Sequence, residues 1–233
     1  MGLKNIAEKK AAAKPRISVN KLAEYLEAIP TRRKKIVEDA KYPEKFIVTR
    51  YKDARDIITG FLSGEMDEDA VLESIDSLND KESETEFQEQ DNRLSAESLD
   101  SLLETNISIL EDCTVEPFDG DNELVEISGV DISVNPDLIV TKMVNDELHF
   151  GAIKLHISKT NNLSDESQKI VAVLLYLFAD KFIKGAGDKA SLKLCFSFDV
   201  FKQSLESCPT SFKHRLKKIE AACEEIALWW DKL

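Results

Sequence analysis

The feature that most restricts this chain is a change of hydrophobic period near residue 123. Before it, apolar residues recur every three or four positions; after it, they alternate. "ELVEISGVDISV" (123–134), "DLIVTKM" (137–143) and "LHFGAIKLHIS" (148–158) each alternate with period two, which predicts three strands. The tetrapeptide "VNDE" (144–147) between the last two is a hairpin connection. Helical spacing returns in "LSDESQKIVAVLLYLFADKFI", with Ser164 as N-cap and Asp165 and Glu166 in a first turn whose dipole favours acids. A stop at "KGAGD" (184–188), a fourth strand over 191–201 and a long C-terminal helix complete the pattern. Preceded by a helix with Leu94, Leu99, Leu102, Leu103 and Ile107 on its stripe, these elements run α-β-β-β-α-β-α. That order predicts an α/β (α+β) fold, an α-β-β-β-α-β core behind an N-terminal helical bundle.

The bundle is read over residues 1–78. Ser18 caps a helix carrying Leu22, Tyr25, Leu26 and Ile29 on one face, and Pro30 ends it. Thr31 caps a second helix that stops at Pro43. A third places Tyr51, Ala54, Ile57, Ile58 and Phe61 together, and Asp67 caps a fourth that runs to Leu78. Residues 79–93, "NDKESETEFQEQDNR", have no apolar face and read as an acidic linker. Residues 94–233 form the α/β domain.

Charge follows the same division. Residues 1–60 hold 15 basic against 8 acidic side chains, residues 61–126 hold 2 against 22, and residues 127–233 hold 14 of each. A basic head and an acidic middle point to different partners for different parts, or to one masking the other. The basic cluster Arg32, Arg33, Lys34, Lys35, joined by Arg50, Lys52 and Arg55, is the candidate phosphate-binding surface. Competing with that is pairing inside the molecule. The four cysteines (Cys113, Cys195, Cys208, Cys223) show no CxxC or Cys/His spacing, which points to reduced thiols rather than a zinc site. With no signal-like apolar region at the start and no membrane-length apolar run, a cytoplasmic protein with no membrane contact is expected. No P-loop, GxGxxG or Ser/His/Asp pattern is present. Trp229 and Trp230 are adjacent and so occupy different helix faces, which leaves one of them for a protein partner.

Within 150–158, Phe150, Ala152, Lys154, His156 and Ser158 share one face; Gly151, Ile153, Leu155 and Ile157 form the other, an aliphatic core face. Pro136-Asp137 opens the preceding strand. This element order, with "PD" at 136–137 and "AIK" at 152–154, resembles the PD-(D/E)XK nuclease-like superfamily over roughly residues 94–201. The "GAIKL" strand and "ACEEI" helix are also similar to those of bacterial proteins. The resemblance implies a restriction-endonuclease-like domain in which Asp137, the carbonyl of Ile153 and a second carboxylate hold Mg²⁺, while Lys154 orients the attacking water. Ala152 stands where that second carboxylate belongs. Glu166 is the foremost substitute, and Glu97, Glu104, Glu126 and Asp131 are the others. The implied function is a non-catalytic or weakly catalytic nuclease-like subunit: a scaffold for a protein partner or a second copy, with DNA as a further partner, in bacterial DNA metabolism or anti-phage defence. Two alternatives stand beside it: an active Mg²⁺-dependent nuclease with a relocated acid, and a nucleic-acid-binding module using the basic helices.

Overall fold

A computed structural model describes residues 11–43, 50–183 and 189–233. Its framework is a mixed sheet with strand order β2-β5-β6-β8-β9, in which β2 is Thr114–Pro117, β5 Leu138–Val144, β6 Glu147–His156, β8 Phe196–Asp199 and β9 Ser204–Ser207. A short β7 (Lys189–Ala190) also pairs with β6. The β5–β6 hairpin turns through Asn145 and Asp146, both at positive φ, as "VNDE" predicts. β6 and β8 run parallel, and α6 (Asp165–Phe182) connects them. The Ser164 hydroxyl caps α6 by accepting from the Ser167 N–H at 3.1 Å.

The expected strand over 123–134 is two strands. Ser128 and Gly129 both adopt positive φ, so β3 (Leu124–Ile127) turns back on β4 (Val130–Ser133). β1 (Arg16–Ser18) adds to β4 in parallel, which ties the start of the described chain into a second, three-stranded sheet. The expected fourth strand over 191–201 is also broken up. It comprises a 3-10 turn at Leu192–Leu194 followed by β8, and β9 was not foreseen.

Apolar side chains fill both faces of the main sheet. On one face, Phe150 and Ala152 lie under α6, and the same core continues outward through α1 (Val19–Glu27), α2 (Pro30–Lys41) and α7 (Lys213–Lys232). On the other, Ile153, Leu155, Phe196 and Phe198 meet α3 (Lys52–Leu62), α4 (Glu68–Asp80) and α5 (Glu86–Leu103). The expected N-terminal bundle is therefore divided, with its first two helices on one side and its next two on the other. A strand with neighbours on both edges and helices over both faces has no wet face along its middle. Phe150 to Ile153 are buried, and polar groups reach water only at the two ends of β6, at Glu147 and His149 and again at the half-buried Lys154.

Two helix starts differ from expectation. Pro30 opens α2 instead of serving only as a stop, because proline at the first helical position gives up an N–H that has no helical partner there. The expected acidic linker is helical from Glu86. Thr85 accepts from the Gln88 N–H at 3.2 Å, and Glu86 and Glu89 lie in the favoured first turn. The Asp91 carboxylate accepts the Tyr51 N–H at 3.0 Å, and the Arg50 guanidinium lies 4.6 Å from the Phe87 ring centroid. Once Leu94, Leu99 and Leu102 anchor the helix, extending it into a polar stretch is far less costly than nucleating one there.

Candidate functional site

Asp137 and Lys154 meet where β5 begins and β6 nears its end. The pairing of β5 with β6 extends one step past the strand, since the Asp137 N–H donates to the Ile153 carbonyl at 2.9 Å. This turns the Asp137 carboxylate toward the outgoing end of β6, where Oδ2 accepts the Leu155 N–H at 2.8 Å and lies 3.2 Å from Lys154 Nζ. Lys154 Nζ also donates to the Asn135 carbonyl. Arg55, from α3, completes the group by donating to Asp137 Oδ1. The side chains of Asp137 and Lys154 are 10% and 14% exposed, so the pair is largely withdrawn from water.

The charges decide what this arrangement can do. Two cations face one carboxylate, which leaves a local excess of positive charge. Burial holds the Lys154 ammonium below the usual lysine range and Arg55 adds to that effect, while Asp137 opposes it. A Mg²⁺ site needs several hard oxygen ligands and a negative surround. Here both Asp137 oxygens are engaged, the Ile153 carbonyl accepts a backbone N–H, and Ala152 is fully buried on the α6 side. Among the described residues no cluster of three His, Cys, Asp or Glu side chains could hold a metal ion. The donor set implied by the resemblance does not fit Mg²⁺.

Glu166 does not join the site. Its carboxylate is held by Arg215 at 2.7 Å and Lys218 at 3.0 Å, both on α7, and it lines a pocket of about 420 Å³ with Tyr25 and Arg33. Burial raises the Glu166 pKa, but the two cations outweigh it and leave the group below the usual carboxylate range. Glu97 binds Lys159 and Arg93, and Glu104 accepts from the Gln203 side-chain amide. Glu126 and Asp131 pair in register within the second sheet. None of these acids stands beside Asp137.

The basic residues singled out above are separated and mostly engaged. Arg32 pairs with Glu24. Arg33 donates to the carbonyls of Tyr25 and Leu26, reaches Glu225 at 3.4 Å and covers the Tyr25 ring, so it serves as a peg between helices. Lys34 lies over the half-buried Trp229 ring, 5.8 Å from its centroid, while Trp230 is in the core. Lys35 pairs with Glu38 and Asp39. Arg50 meets Gln90 and Phe87 on α5, and Lys52 is exposed in the first turn of α3. Arg32 and Arg55 do converge, with Asn20, Lys21, His156 and Asn161, on a polar cleft of about 550 Å³ beside the Asp137 group.

Asp199 was missed by sequence reasoning. It ends β8 opposite His156 in register and is fully buried. Its Oδ2 accepts the Leu163 N–H at 2.6 Å and its Oδ1 the Lys202 N–H at 3.3 Å. His156 Nε2 lies 2.6 Å from the Asn161 carbonyl. Together they tie down the loop that leads from β6 to α6. Burial pushes the Asp199 carboxyl up, against the opposing influence of the Leu163 N–H and His156. The available signal was an acid closing an apolar strand, "LCFSFD". No model of a known protein family matches the chain, and no curated protein matches it.

Proposed function

We propose that the protein is a non-catalytic scaffold built on a nuclease-like core, with the polar cleft beside Asp137 as its contact surface for an anionic partner. One observation carries this reading: the Asp137 carboxylate is spent on Arg55, Lys154 and the Leu155 N–H. The group links α3 to the sheet, and both carboxylate oxygens are already engaged by protein donors. The cleft favours an anion because Lys21, Arg32 and Arg55 line it against a single acid, Glu24. Nucleic-acid phosphates and acidic protein segments both have the required charge.

The test is a cleavage assay on single- and double-stranded DNA and RNA with millimolar Mg²⁺ or Mn²⁺, run beside thermal melting with the same ions. No cleavage and no metal-dependent rise in melting temperature are expected. Metal-dependent cleavage that disappears in both Asp137→Ala and Lys154→Ala would overturn the reading and restore the nuclease. For the cleft, binding of fluorescent DNA should weaken with salt and in an Arg32→Glu, Lys21→Glu double variant. Indifference to both changes removes nucleic acid as the partner.

A further inference from the structure

A second concave surface lies away from the Asp137 group. It is a groove of about 830 Å³ between the β5–β6 hairpin, the 3-10 turn at Leu192–Leu194 and the start of α7's approach loop at Thr210. Its walls are apolar, with Ile109, Val144, Tyr176, Leu192 and Leu194 among them. Ile109 is 54% exposed and Val144 36%. Two large apolar side chains in water at one mouth, Ile109 and Val144, mark a binding surface more than a stability feature. One wall depends on a glycine: a Cβ on Gly151 would sit 2.2 Å from the Leu194 carbonyl oxygen, so only glycine lets that turn lie directly against β6.

Charge identifies the occupant. The chain carries a net charge of −13, yet the charged residues lining this groove are Lys142, Lys189 and Lys193, with His149 between them, and no acid lines it among the described residues. Lys193 is exposed and has no acidic partner among the described residues. Lys142 reaches Asp112 at 3.4 Å and Lys189 meets Glu147, but both acids are substantially exposed, and surface pairs of this kind contribute about 0–1 kcal/mol. An incoming carboxylate displaces them at little cost. The hydroxyls of Ser191, Ser207 and Thr210 add donors. A volume of this size lies within the range of small-molecule sites, roughly 300–1,000 Å³.

We propose that this groove binds an amphipathic organic anion, an acyl or aromatic carboxylate whose apolar body lies along Ile109, Val144 and Leu192 and whose head meets Lys193. The site is separate from the cleft beside Asp137 and does not depend on the reading given above.

Thermal melting and calorimetry of the full chain with decanoate, decanol and decylamine, all below their micelle concentrations, test it. Decanoate should bind saturably with one-to-one stoichiometry, decanol about fivefold or more weakly, and decylamine more weakly still. Lys193→Glu and Val144→Asp, both at exposed positions where the fold tolerates change, should each reduce decanoate affinity on the order of tenfold. Lys193→Arg should retain it. Equal binding of all three amphiphiles overturns the proposal, as does decanoate binding that ignores both variants. Two further probes separate other occupants. Sedimentation with anionic phospholipid vesicles in the absence of decanoate binding assigns the patch to a membrane surface. Saturation by a peptide of residues 67–80, again without decanoate binding, assigns it to the acidic α4 of a second copy. Either result overturns the small-ligand site.

Discussion

Asp137 and Asp199 flank the same end of the sheet and solve the problem of a withdrawn carboxylate in opposite ways. Asp137 stands before β5 with Arg55 and Lys154 against it, so its charge is overcompensated. Asp199 ends β8 with backbone N–H groups and a neighbouring histidine, and burial disfavours its ionised form. The first joins two layers through charge; the second fastens a loop through hydrogen bonds. In each arrangement both carboxylate oxygens are already engaged by protein donors.

The strongest way to break this contrast is Asp137→Ala. It leaves Lys154 buried without its counter-charge and the Leu155 N–H without its acceptor, and should lower stability by about 3–5 kcal/mol in urea unfolding. Adding Lys154→Met to that variant should recover much of the loss, because an apolar side chain replaces an uncompensated ammonium. If the double variant is no better than the single, Lys154 is not the source of the cost.

Asp199→Ala should cost less, about 1–3 kcal/mol, as two backbone donors lose their acceptor. The loss should appear locally as faster hydrogen exchange at Leu163 and Lys202. Asp199→Asn keeps an acceptor oxygen and separates shape from charge. Because burial raises the folded-state pKa of Asp199 above its ordinary 3.8, the group's favourable contribution is complete below that value and is lost as pH rises through the raised one. Measured against the wild type, Asp199→Asn should therefore gain relative stability between acidic and neutral pH. A flat or opposite trend would show that the ionised form is the one the fold prefers.

Arg55→Ala should have the smallest effect, about 1 kcal/mol or less, since its side chain is a third exposed and Lys154 remains to balance Asp137. Its sharper readout is the melting response to Mg²⁺. Removing one of the two cations should still leave melting unchanged by the metal, because the second carboxylate is missing as well. A metal-dependent rise in this variant would identify Arg55 as the group that keeps the ion out.

How much of this was legible depended on distance along the chain. The β5–β6 hairpin, the caps at Ser18, Asp67 and Ser164, and the adjacency of Asp137 and Lys154 follow from patterns spanning a few residues, and all are present. The resemblance directed attention to Asp137 and Lys154, and they do meet. The helix over 86–93 was hidden because its polar face has no periodic signal of its own; it is held from outside by Arg50 and Tyr51. The placement of Glu166 was hidden for the same reason, its partners Arg215 and Lys218 lying about fifty positions away.

By itself the sequence determined the mixed α/β character, the β5–β6 hairpin, the caps at Ser18, Asp67 and Ser164 and the residues able to carry charge, because periodicity, caps and a strong hairpin turn act over one or two helical turns or a single hairpin. The tertiary structure decided which charges neutralise one another. Arg55 and Asp137 are 82 positions apart, and they meet only because the apolar stripe of α3 docks on the same face of the sheet as Leu138 and Leu155. Burial of that face sets the distance between the charges, and that distance makes Asp137 a structural link.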